Sequence, residues 1–342
     1  MSGAEDLQPG DDAASRKAVE AVDALSNPRF RAGEQVLTLL ATPLNYMVLR
    51  VLAERPMRLA ELRSASGLPA QTTLRGHLSS LGEIGVVNKR PTARMPYAVE
   101  NELTPMGREI LEVADHLGRW LRLAPGGPIS LETGGARGVV KAFVDGWGST
   151  MMRGLAAQPM SLTELDRDIA ELSYPALERR LSSMRMAGLV EARPGPGGGT
   201  PYAVTDWARR GVVPLAAATN CERLHMRKRA APVTQIDIEA AFMLATPLVG
   251  LSADASGSCR LEVEADPDQS RGEVGVLVAV EAGRVVACDN EPDPSPSAIA
   301  SGSAARWFSA IKDGTAGLLR FGGARQLSEG LVNGLHVALL DP

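Results

Sequence analysis

Behind Pro43, which a first helical turn tolerates because its missing N–H has no partner there, Leu44, Met47, Val48, Val51 and Leu52 fall at helical spacing. Residues 27–40 read as an opening helix before them. A short helix over 59–65, a turn at Gly67-Leu68-Pro69 and a helix from about Ala70 to Glu83 come next, the last with Leu74, Leu78 and Leu81 on one face. Two amphipathic helices joined by a tight turn containing glycine make a helix-turn-helix. After Gly85, Val86-Val87 and Tyr97-Ala98-Val99 flank the basic stretch 88–94, which predicts a hairpin with a charged tip. Thr104-Pro105 then caps and opens a helix striped by Ile110, Ala114, Leu117 and Leu121, with Trp120 beside them.

The pattern returns. Leu59, Leu62, Leu74, Leu78 and Gly85 stand 103 residues before Leu162, Leu165, Leu177, Leu181 and Gly188, and the word PYAV at Pro96 recurs 105 residues on at Pro201. A duplicated unit accounts for this, the second copy being expected to carry two extra residues. In that copy Val140, Val144, Trp147, Met151 and Leu155 stripe the first helix, 162–170 is the second, and about 174–187 is the third, burying Leu177, Leu181 and Met184. Its hairpin covers 191–200, with a glycine-rich tip after Arg193. No Lys-Ser/Thr follows that tip and no strand-to-helix context surrounds it, which argues against a nucleotide-binding loop. A helix with Val212, Val213 and Leu215 ends near Arg227-Lys228-Arg229.

The last third changes period. Cys259, Leu261, Val263 and Ala265 alternate with charged residues, Val274, Val276, Val278 and Val280 form a second strand, and Ala282-Gly283 turns it into a third over 285–288. A proline-rich loop, 291–297, ends the sheet run. A helix over 304–311 holds Trp307 and Phe308, a short strand covers 318–321, and a final helix from Ala324 repeats leucine at 327, 331, 335 and 339. The fold class expected is α+β: two winged helix-turn-helix domains in tandem followed by a small sheet-and-helix domain. The expected divisions are an acidic tail over 1–34, winged domains over 35–130 and 131–232, and the last domain over 233–342.

Composition changes this picture in two ways. The chain of 342 residues has a net charge of −4, but residues 35–232 hold 25 basic against 18 acidic side chains, so the repeated region is the basic part. Three scattered cysteines without a CxxC pair argue against structural metal and a disulfide framework. No apolar run is long enough to span a membrane and the first residues are acidic and polar, so the protein is expected in the cytosol with no membrane partner. The four histidines and the serines form no metal or nucleophile motif, so no enzyme and no cofactor is expected.

With Gly-Trp near the start of a helix, LTEL, a Leu-Ser-Ser helix, GLV, a hairpin and Tyr-x-Val-Thr leading into a helix, the second unit resembles the HxlR-type winged-helix transcriptional regulators. The first resembles them through LAEL, LSSL and LTPMG, though it lacks a counterpart of Trp147. The resemblance implies binding to double-stranded operator DNA as a dimer. Two units in one chain suggest an intramolecular pseudo-dimer, with or without further pairing of chains. The last third, with its strand meander, its helix ending in Asp-Gly, Leu-Arg-Phe-Gly-Gly and a leucine-rich terminal helix, resembles the sterol carrier protein-like fold. That resemblance implies an apolar cavity between sheet and helices, lined by Trp307, Phe308, Leu327, Leu331 and Leu335, for an apolar small molecule. A solid core or a dimerisation module has the same periodicity.

The major groove admits one helix, and side chains that bond two atoms of a base edge discriminate there. The polar positions of the third helix in each unit are therefore the candidates: Gln71, Thr72, Arg75 and His77, then Tyr174, Glu178, Arg179 and Arg180. Lys89, Arg90, Arg94 and Arg193 in the wings would contact phosphate, supplying affinity without sequence information. The longer but less charged second wing predicts asymmetric docking. The other reading is a lipid-type carrier whose winged units mediate protein contacts.

Overall fold

A computed structural model describes residues 31–65, 71–91, 98–148, 150–169, 172–193, 200–265, 274–290 and 295–340. The first stretch folds as α1 (Glu34–Leu40), α2 (Pro43–Glu54), β1 (Met57–Arg58), α3 (Leu59–Ala65), α4 (Gln71–Glu83), β2 (Val87–Pro91), β3 (Val99–Leu103) and α5 (Pro105–Arg122). Apolar periodicity makes α4 stick: Leu74, Leu78 and Leu81 are buried, as are Val48, Leu49 and Leu52 of α2 and Leu62 of α3. The strands form an antiparallel sheet in the order β1-β3-β2. Its edge strand β1 has only two residues and had no visible period, and β3 begins two residues later than the expected 97–99.

The second stretch runs α6 (Gly135–Gly148), α7 (Met151–Ala157), α8 (Leu162–Asp168), α9 (Tyr174–Met186), β4 (Val190–Ala192), β5 (Tyr202–Val204), α10 (Asp206–Arg210) and α11 (Val212–His225). The expected continuous stripe from Val140 to Leu155 is broken, because Thr150 takes a left-handed φ of 62° and turns the chain between α6 and α7.

The two stretches match in hydrogen bonding as well as in order. Each third helix ends on a left-handed glycine, Gly85 at φ 81° and Gly188 at φ 75°. The next amide then bonds back into the last turn, Val86 to the Leu81 carbonyl and Leu189 to the Met184 carbonyl, both at 2.9 Å. Thr104 caps α5 through the Gly107 amide and donates to the Gly85 carbonyl; Thr205 caps α10 through the Ala208 amide and donates to the Gly188 carbonyl. Val87 faces Leu103 as Val190 faces Val204, and Met57 faces Asn101 as Met160 faces Tyr202. These pairs set Thr205 against Thr104, an offset of 101, so the two PYAV words are not structural counterparts. The second hairpin is two residues shorter than the first, and the expectation of a longer second wing is corrected.

The last stretch holds α12 (Gln235–Ala245), β6 (Gly257–Val263), β7 (Val274–Glu281), β8 (Arg284–Asp289), β9 (Ala298–Gly302), α13 (Ala304–Asp313), β10 (Arg320–Gly323) and α14 (Arg325–Leu340). Its sheet has the order β10-β9-β6-β7-β8, with β6 antiparallel to β7 and parallel to β9. The sheet run therefore does not end at the proline-rich loop. β9 follows it and takes an interior place between β10 and the central β6. The segment 233–257, where no element is expected, contains α12.

The buried apolar side chains form one cluster extending through all three stretches. α5 packs along α11 and α10, where Trp120 and Trp207 stack with centroids 4.7 Å apart at 12°. Each indole N–H donates to the other's backbone carbonyl at 2.8 Å. Residues 31–33, expected in the acidic tail, join this packing: Ala32 is buried, and the buried Glu222 carboxylate of α11 accepts from the Gly33 and Val36 amides at the start of α1.

Candidate nucleic-acid interface

The outward face of α4 carries Thr72, Thr73 and Arg75, all exposed, and it stands beside the β2 edge with Lys89 and Arg90, also exposed. Packing of Leu74, Leu78 and Leu81 into the core fixes which side of α4 is turned out, because side chains three and four apart share a face. Among the described residues Arg75 and Lys89 have no carboxylate partner, whereas Arg90 lies 3.6 Å from Glu102 across the hairpin. His77 does not belong to this face. It is half-buried, and its Nδ1 lies 2.8 Å from Asn45 Oδ1 of α2. The Gln71 side chain and Arg94 lie outside the described residues.

α9 repeats the arrangement. Tyr174, Glu178 and Arg179 are exposed, Arg180 is half-buried, and Leu177, Leu181 and Met184 face inward. Arg179 and Arg180 have no ion-pair partner among the described residues, while Arg193 at the wing base pairs with Glu191 at 3.1 Å. Arg185, exposed in the last turn of α9, was not picked out as a candidate because it lies beyond the two polar turns that drew attention.

Of the five residues expected to line a ligand cavity, Phe308 borders a small apolar one and the other four are packed in the interior. Trp307, Leu331 and Leu335 are fully buried, Leu327 is nearly so, and the Trp307 indole donates to the Glu262 carbonyl while its ring meets Phe242 edge-on. These side chains fill the space between helices and sheet. Phe308 is placed differently: half-buried under the Arg223 guanidinium, it borders an apolar cavity of about 60 Å³ between α11, α12, α13 and α14. That volume is well below the roughly 300 Å³ at which small-molecule sites begin. A larger groove, about 500 Å³, lies where α5, α11 and α14 meet.

Titratable groups in the interior are shifted by burial. Desolvation raises the Glu222 carboxyl, opposed by the amides of Val36, Gly33 and Gln35 that favour its charge. It also pushes the Cys221 thiol up to about 12 and those of Cys259 and Cys288 to about 11. Among the described residues no cluster of three His, Cys, Asp or Glu side chains could hold a metal ion. No single helix among them is long and apolar enough to cross a membrane.

Residues 39–124, from the end of α1 through α5, match the HxlR-like helix-turn-helix family, and no curated protein sequence matches the chain. The first stretch is thus an HxlR-like helix-turn-helix domain within a mixed α+β protein. A helix-turn-helix domain of this family suggests a DNA-binding regulator.

Proposed function

We propose that this chain is a sequence-specific regulator that grips one DNA duplex with two winged helix-turn-helix units, 35–130 and 131–232, joined as a pseudo-dimer. The observation that carries the reading is the repeated junction between third helix, wing and following helix. A left-handed glycine, a bonded turn and a threonine cap recur at Gly85 to Thr104 and at Gly188 to Thr205, so α4 and α9 are each held rigidly to a hairpin and a supporting helix. Arg75 and Arg179, exposed and without carboxylate partners among the described residues, would bond guanine edges, and Thr72, Gln71, Tyr174 and Arg180 would complete the two readers. Lys89, Arg90, Arg94 and Arg193 would hold phosphates. Their carboxylate neighbours Glu102 and Glu191 compete for Arg90 and Arg193, so Lys89 should give the larger backbone contribution.

Because α4 and α9 differ in sequence, the operator would be an imperfect inverted repeat with half-sites about 34 to 36 Å apart. The last stretch, 233–342, would set the disposition of the two units in response to a small molecule. Its sheet-and-helix order supports a sterol carrier protein-like fold, but its filled interior favours a site elsewhere on it.

Fluorescence anisotropy against a randomised duplex library tests the reading. Selected duplexes should bind wild type, and Arg75→Ala and Arg179→Ala should each cost about 1 to 3 kcal/mol and relax preference at separate half-sites. Lys89→Ala should weaken all duplexes alike and lower the logarithmic salt slope by about 0.9. Indifference of the purified protein to every duplex at low salt removes the proposal.

A further inference from the structure

The groove of about 500 Å³ has an unusual wall for a surface feature. Its apolar sides come from Val213 and Pro214 of α11, Leu248 after α12, and Val337 and Ala338 of α14, with Trp120 at its floor. Leu123 and Val337 stand about half exposed or more at its rim, 60% and 46%. Its polar groups are Arg119 and His116 of α5 and Arg210 of α10. Among the described residues neither arginine has a carboxylate partner. Arg119 instead places Nη2 3.0 Å from His116 Nδ1. Burial, then the Arg119 charge, lower the His116 pKa, against weaker pulls from Asp115 and Glu112, so the ring is neutral at pH 7 and accepts from Arg119. The charge in the groove is therefore that of two guanidinium groups beside an apolar trough.

We propose that this groove is the effector site and takes an anionic amphiphile, a carboxylate on an alkyl chain or fused ring system. Its head lies between Arg119 and Arg210, and its body lies along Val213, Pro214, Leu248 and Val337. Guanidinium is the group best suited to a carboxylate, through paired N–H donors, and the volume is that of small-molecule sites. Position gives the site its consequence. α5 grows directly from the first wing through Thr104, and α10 and α11 grow from the second through Thr205. An occupant touching α5, α11 and α14 together favours whichever spacing of the two wings closes the groove around it, and shifts duplex affinity by its preference for that spacing. The effector role rests on the reading of both units as DNA-binding; carboxylate binding does not.

Isothermal calorimetry with the full chain and no DNA decides the binding. Sodium decanoate should bind one per chain, and 1-decanol at least about tenfold more weakly. Arg119→Gln combined with Arg210→Gln should lower decanoate affinity about tenfold or more with decanol unchanged, whereas Arg122→Gln on the same helix should leave both as in wild type. Ala338→Trp, which fills the trough, should abolish decanoate binding while circular dichroism remains native. Equal affinity for decanol and decanoate, several decanoates per chain, or insensitivity to the double variant overturns the proposal. So does light scattering that reports a dimer closing the groove with a second copy through Leu123 and Val337. Saturating decanoate should then change selected-duplex affinity at least about fivefold. No change overturns the effector role while the groove stands, and absence of any duplex binding removes the functional reading and leaves calorimetry to judge the groove.

Discussion

Glu222 is 1% exposed and accepts two amides at the start of α1, so its charge is both stabilised and starved of water. Burial dominates and raises its pKa above the ordinary 4.5. A group whose folded pKa is raised contributes stability that is complete below the unfolded value and is lost as pH rises through the folded one. Chemical denaturation at pH 4.5 and pH 8 should therefore show a loss on alkalinisation that Glu222→Gln reduces. The three thiols, all shifted towards 11 or 12 by burial, carry little thiolate at pH 8. Iodoacetamide should leave them unmodified in native protein and modify all three in guanidinium. His77 shows what spacing leaves out: it marks a polar helix position, and the bond to Asn45 of another helix 2.8 Å away is a tertiary fact.

At the scale of elements, strong period was legible and weak contrast was not. The leucines of α4 and α9 stood out because each faces a core on one side and water on the other, which is the contrast that periodicity measures. α12 was missed because nearly its whole circumference is buried, Gln235, Asp237 and Glu239 included, so polar and apolar residues no longer separate. β9, Ala-Ile-Ala-Ser-Gly, has only one branched side chain, Ile299, among small residues and sits behind a proline-rich loop. PYAV misled for a different reason: identical words slid against the true register, which backbone pairing alone fixes. Thr104→Ala should cost about 1 to 2 kcal/mol in chemical denaturation by removing a helix cap. Gly107→Ala should cost more, since a Cβ there would come within 2.5 Å of the Val86 carbonyl, while the counterpart Ala208 already carries one. Trp120→Phe would keep the ring stack but orphan the Trp207 carbonyl, at about 1 to 2 kcal/mol.

For the whole molecule, the polar ties between stretches matter most. The Trp147 indole donates to Asp237 at 2.8 Å, Arg153 pairs with the buried Glu239 at 2.7 Å, and Arg209 donates to the Met243 carbonyl. With an uninterrupted apolar cluster behind them, these ties should make scanning calorimetry record one cooperative transition. Glu239→Ala should lower that transition, at about 2 to 3 kcal/mol, because Arg153 keeps partial access to water.

The placement of β9 next to β6 sets a schedule for synthesis. The N–H and C=O groups along one edge of β6 wait for residues 298–302, which leave the ribosome some forty residues later. Until then the nascent sheet offers an open ladder to any extended neighbour, so the final third should be the slowest to mature and the first place where overproduced chains adhere to one another.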